Sequence, residues 1–134
     1  MNAVDASVAI AGFAAWHEAH EAARRVVSAG AGLPAHAAIE TYSVLTRLPE
    51  PFRFSPDTAR TLILQNFTQP FLLLSDAGYR ALAEIAPAVS IIGGAIYDGV
   101  IAATAKEAEA TLLTRDARAI PVYDALGVPW EFVD

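Results

Sequence analysis

At 134 residues the chain has the length of one ordinary domain, and 54% hydrophobic against 18% charged residues excludes a disordered polyelectrolyte. The absence of cysteine excludes disulfides, a thiolate nucleophile, cysteine-based zinc sites and iron–sulfur clusters. A net charge of −6, with Lys106 the one lysine among nine basic residues, speaks against a broadly basic nucleic-acid surface, so the placement of the fifteen acids matters more than their sum.

The first apolar run, Asn2 to Val4, stops at Asp5, and Ala6-Ser7 opens an alanine-rich stretch: strand, acid, helix start. From His17 to Ala29, the spacing of Ala19, Ala22, Ala23, Val26 and Val27 predicts an amphipathic helix stopped at Gly30. Gly32-Leu33-Pro34 leaves room for a very short strand, and Ala35 to Leu48 reads as a helix closed by Pro49. Ser55 as cap with Pro56 at the first helical position starts a helix through Asn66. Pro70 to Leu74 is a short buried strand, and Ser75-Asp76 caps a helix over Ala77 to Ala86. The longest helix runs from Ala95 to Ala110. Thr111 to Thr114 is a strand, Ala117 to Leu126 a short helix, and Trp130 to Val133 a closing strand. The alternation predicts one α/β domain over residues 1–134, a parallel sheet covered on both faces.

The window from Pro87 to Ala105 is nearly all apolar or small, but Asp98 near its middle would cost about 2.5 to 3.5 kcal/mol at bilayer depth. A buried helix is expected there, with no membrane partner. The N-terminus carries no basic stretch before an apolar run, so a cytoplasmic protein is expected.

Asp5 and Asp116 directly follow short strands, and carboxyl ends of parallel strands line the binding crevice where strand order reverses. Glu40 and Asp98 fall in the second and first turns of their helices, where the dipole favours a carboxylate. Any one of the four could be a cap or a solvated charge. Should they converge, their mutual repulsion calls for a divalent cation, and oxygen ligands without His or Cys suit Mg²⁺ or Mn²⁺. Neutralising four acids would bring the balance from −6 to −2, which readmits a polyanionic partner.

The order and context of these acids resemble the PIN-domain ribonucleases, and within them the VapC-type toxins of bacterial toxin–antitoxin pairs. The resemblance rests on Val4-Asp5-Ala6-Ser7, on the stretch from Leu33-Pro34 through Ile39-Glu40-Thr41 to Leu48-Pro49, on Tyr97-Asp98-Gly99-Val100-Ile101-Ala102-Ala103-Thr104-Ala105, and on Leu112-Leu113-Thr114-Arg115-Asp116. It spans essentially the whole chain. It implies a PIN-like parallel sheet of about five strands with helices on both faces. Asp5, Glu40, Asp98 and Asp116 would then be the catalytic, metal-binding acids for Mg²⁺ or Mn²⁺. The implied reaction is endonucleolytic hydrolysis of tRNA or rRNA by metal-activated water. It further implies that the Ser7 and Thr114 hydroxyls orient the carboxylates, that Arg47, Arg115 and Arg118 contact RNA phosphates, and that the partners are a cognate antitoxin and a second copy of the chain.

His36 with Glu40 and His17 with Glu21 share helix faces, but without an HExxH pattern they read as surface pairs or caps rather than zinc ligands. Phe13, Trp16, Trp130 and Phe132 could stack bases, though core or interface is the commoner use of such rings. The chain has no Gly-Lys-Ser/Thr phosphate loop, Ser7 stands where a phospho-aspartate dehalogenase would want its second acid, and a receiver domain's acidic pair and late lysine are missing. The remaining rival is a PIN-like scaffold that binds protein and does no chemistry.

Overall fold

Three short parallel strands form the regular sheet in this computed structural model, which describes residues 1–134. They are β1 (Asn2–Val4), β2 (Thr111–Thr114) and β3 (Trp130–Phe132), in the order β1-β2-β3. Seven helices accompany them: α1 (Ala6–Phe13), α2 (His20–Ser28), α3 (Ala35–Arg47), α4 (Pro56–Asn66), α5 (Asp76–Ile85), α6 (Ala95–Glu107) and α7 (Ile120–Ala125).

The two further strands expected at Gly32–Pro34 and Pro70–Leu74 are reduced to single parallel bridges, Ala3 to Gly32 and Pro34 to Leu72. Four backbone hydrogen bonds still hold them in line: Gly32 N–H to Asn2 O, Val4 N–H to Gly32 O, Leu72 N–H to Leu33 O and Ala35 N–H to Leu72 O, all at 2.8 to 2.9 Å. Pro34 and Pro70 lack the N–H that a longer ladder requires, which limits each of the two pairings to one bridge. Counting these bridges, the chain steps outward from β1 in one direction and later returns to its other side through β2 and β3. Right-handed crossovers in opposite directions put helices on opposite faces of the sheet. The reversal lies between β1 and β2, and both carry acids at their carboxyl ends.

Local chemistry explains the helix limits. Asp5 caps α1, its carboxylate accepting the Val8 N–H; Ser55 caps α4 with Pro56 in the first turn, and Ser75 caps α5. The second helix begins at His20 rather than His17, because the His17 ring accepts the Ala19 N–H and holds the preceding residues in a turn. The sixth ends at Glu107, short of Ala110, where Glu109 takes a left-handed φ of 55°.

Small residues let the elements approach closely around Val4, Val8, Ile101, Ala102, Ala105 and Leu112, all buried in one core. A Cβ on Gly12 would stand 3.3 Å from the Val27 side chain and 3.6 Å from the Ala23 backbone, so α1 rests almost directly on α2. The apolar window around Asp98 becomes a loop and α6, and no helix is long and apolar enough to cross a membrane.

Candidate active site

Asp5 directly follows β1 and is 3% exposed. Its Oδ1 accepts from Ser7 Oγ at 2.5 Å and from Val8 N at 3.3 Å; its Oδ2 accepts from Thr114 Oγ1 at 2.5 Å and from Tyr123 OH at 2.7 Å. The hydroxyls are themselves aimed: Ser7 Oγ accepts the Arg115 N–H at 2.8 Å, and Thr114 Oγ1 accepts the Asp116 N–H at 3.0 Å. Backbone donors leaving β2 are thus relayed through two hydroxyls onto a carboxylate leaving β1. Burial raises the Asp5 pKa above the ordinary carboxylate range, opposed by the bonds from Ser7, Thr114, Tyr123 and Val8.

Glu40 and Asp98 come to this point from α3 and α6. Burial raises the Glu40 pKa first, then the charges of Asp98, Asp5 and Asp116, with Arg47 opposing. For Asp98 the causes are burial, then Asp116 and Asp5, with Arg118 opposing. No hydrogen bond is among the influences on either, so what acts on them is desolvation and one another's charge. Asp116 follows β2 by two residues, and its Oδ1 accepts the Arg118 N–H at 3.0 Å. Of the four acids named from sequence, Glu40 is thus within electrostatic reach of the other three, and Asp98 within reach of Asp116 and Asp5, at the reversal of the sheet.

They do not form a closed cage: no three His, Asp or Glu side chains stand close enough to hold one ion between them. The donor set nonetheless fits a hard divalent cation, being all carboxylate oxygen, and a cation would offset the repulsion that raises Glu40 and Asp98.

The three arginines differ. Arg47 lies one turn beyond Ser43 on α3, donates to its Oγ at 2.7 Å and acts on Glu40; Arg118 is 97% exposed and acts on Asp98. Arg115 is instead bound into the fold, donating to Val133 O at 2.6 Å and Glu18 at 3.2 Å with its guanidinium over the Phe132 ring. Among the aromatics, Phe13 packs edge-on against Phe67, Trp130 donates to Asp124 at 2.7 Å, and Trp16 lies 4.9 Å from Phe52.

Sequence reasoning missed Tyr123. It is buried in α7, and burial, the Asp5 charge and its hydrogen bond to Asp5 push its pKa far up, so it stays a donor. Its signal in the sequence is slight, one phenol in a short apolar helix after Asp116.

The PIN domain family matches the chain over residues 3–125. Ribonuclease VapC40 of Mycobacterium tuberculosis is 47% identical over 133 residues, 99% of each chain; Ribonuclease VapC27 of the same species is 45% identical over 130 residues, 94% of this chain and 92% of its own. A solved structure described as FitAB bound to an IR36 DNA fragment superposes with a TM-score of 0.72, at 21% identity over 98% of this chain and 94% of that one, and shares the fold. With its acids gathered at the reversal of a parallel sheet and its whole length aligned to these relatives, the chain belongs to the PIN-domain family, in its VapC-type branch.

Proposed function

We propose that this chain is the toxin of a type II toxin–antitoxin pair, a Mg²⁺- or Mn²⁺-dependent endoribonuclease that hydrolyses phosphodiester bonds in tRNA or rRNA, acting in the cytoplasm with residues 1–134 as one unit. The observation that carries the reading is that burial and the charges of neighbouring acids, Asp98, Asp5 and Asp116 on Glu40 and Asp116 and Asp5 on Asp98, raise both carboxyls at the carboxyl ends of β1 and β2. Two relatives at 45 to 47% identity carry the name ribonuclease.

The four carboxylates, which do not close on one point without an ion, would together supply its oxygen ligands. When bound, Mg²⁺ or Mn²⁺ supplies neutralisation of the phosphate charge and a water of lowered pKa. Ser7, Thr114 and Tyr123 fix the rotamer of Asp5, because each donates to one of its oxygens. Arg47 and Arg118, which flank Glu40 and Asp98, bind phosphates on either side of the cut, and Arg115 contributes through the turn it braces. A cognate antitoxin covers the acids from the neighbouring apolar groove of α3 and α4, where Ile39 beside Glu40 is 69% exposed and Leu64 57%. The chain pairs with a second copy of itself.

The test is cleavage of purified tRNA and rRNA in Mg²⁺ or Mn²⁺ by wild type and by Asp98→Asn, with EDTA as control. Discrete fragments from wild type alone support the reading. Identical patterns from both proteins would favour a scaffold that binds a partner and does no chemistry.

A further inference from the structure

His36 and Tyr97 bring two rings together beside the acids. His36 lies one turn before Glu40 on α3, and Tyr97 directly precedes Asp98 on α6. Their rings are parallel within 3°, with centroids 5.4 Å apart. At that separation the stack is offset, the arrangement that aromatic quadrupoles favour. Tyr97 is nevertheless 57% exposed, so a tyrosine backed by a second ring presents open π surface to solvent next to a carboxylate of the site.

We infer that Tyr97, braced by His36, is a stacking platform for the nucleobase adjacent to the cleaved phosphate, and so a binding and selectivity determinant for RNA. The inference rests on the ribonuclease reading for the identity of the ligand. An enzyme that holds a phosphodiester at a metal site must also fix the flanking nucleotide, and unpaired bases are held by stacking on aromatic rings. The four acids repel a phosphate chain without a cation, so apolar stacking is the attraction that does not depend on charge. Every base has a π face, which makes such a platform tolerant of sequence and selective for unstacked, single-stranded nucleotides in loops. The exposed Tyr79 on α5 lacks this setting: the amino end of α5 meets the carboxyl end of α6, where Gly78 lies against Glu107, about three helical turns from Tyr97.

The test uses the full chain and a short single-stranded oligoribonucleotide carrying 2-aminopurine, whose fluorescence is quenched on stacking, with Ca²⁺ as the oxygen-seeking cation. The platform predicts quenching on binding to wild type. It predicts affinity about 5- to 100-fold weaker with loss of the quench in Tyr97→Leu, and recovery of both in Tyr97→Phe. Tyr79→Leu behaves as wild type. A bound but unquenched probe, equal affinity in Tyr97→Leu, or no binding to wild type would overturn the platform. A ring that only clamped α3 to α6 would change thermal stability and leave the quench in Tyr97→Leu. Quenching without RNA cleavage would remove the ribonuclease reading and keep the platform; cleavage with the same KM in wild type and Tyr97→Leu would do the reverse.

Discussion

Replacing Tyr123 by Phe removes one of the four donors to Asp5 and leaves the packing of α7 unchanged. Hydrogen bonds to charged groups contribute about 1.5 to 3 kcal/mol, so urea unfolding of Tyr123→Phe should show a loss in that range together with slower cleavage. Unchanged stability would mean that the hydroxyl does not support the carboxylate. The residues facing the cleft have the opposite sign. Glu40 and Asp98 have folded-state pKa values raised above those of the unfolded chain, so between the two values the folded state binds more protons. Stability of the metal-free protein therefore falls as pH rises from the ordinary carboxylate range through the raised values. Asp98→Asn should stabilise the metal-free protein at neutral pH by on the order of 0.5 kcal/mol, and the gain should vanish below about pH 4, where the wild-type carboxyl is protonated as well. A lower Tm for Asp98→Asn at neutral pH would contradict this, and would mark Asp98 as structural.

At the scale of elements, one side chain fastens α5 to α6. Ser75 Oγ accepts the Gly78 N–H at 3.0 Å and donates to Glu107 Oε1 at 2.5 Å, while the Ser75 N–H reaches Glu107 Oε2 at 3.0 Å. Ser75→Ala removes the cap and the hydroxyl bond to Glu107 on the helix that bears Asp98, keeping the backbone N–H bond, and a loss of about 1 kcal/mol in thermal or urea unfolding is expected. The caps were legible in the sequence because Ser-Pro-Asp and Ser-Asp carry their own mechanism, as was the alternation of strands and helices. Less legible was the extent of each strand. Gly32–Pro34 and Pro70–Leu74 have apolar strand composition, yet their prolines limit each pairing they make to one bridge, and pairing length depends on neighbours that a single segment does not reveal. The start of α2 was misplaced for a similar reason, since helical spacing is silent on a His17 ring that accepts a backbone N–H.

For the whole molecule, the acids at strand ends were readable because a parallel sheet places those ends together whatever its helices do. The partners of Asp5 were half readable. Ser7 and Thr114 lie beside acids in the sequence, whereas Tyr123 is 118 residues away and is brought in only by the return of the chain through α7. The arginines show the limit of charge as a guide: Arg115 and Arg118 look alike in sequence, but one is folded into the C-terminal strand and the other is 97% exposed. At this scale pairing with a second copy predicts a solution mass of twice 14.2 kDa by light scattering. Loss of cleavage is also expected in a saturated complex with the cognate antitoxin; full activity in that complex would contradict coverage of the acids.

Cleavage of purified tRNA and rRNA by wild type beside Asp98→Asn, in Mg²⁺ or Mn²⁺ and again in EDTA, tests the central claim most directly. Discrete fragments are expected from wild type with metal and none in the other lanes. Fragments that persist in EDTA or with Asp98→Asn would contradict a four-carboxylate, metal-dependent site.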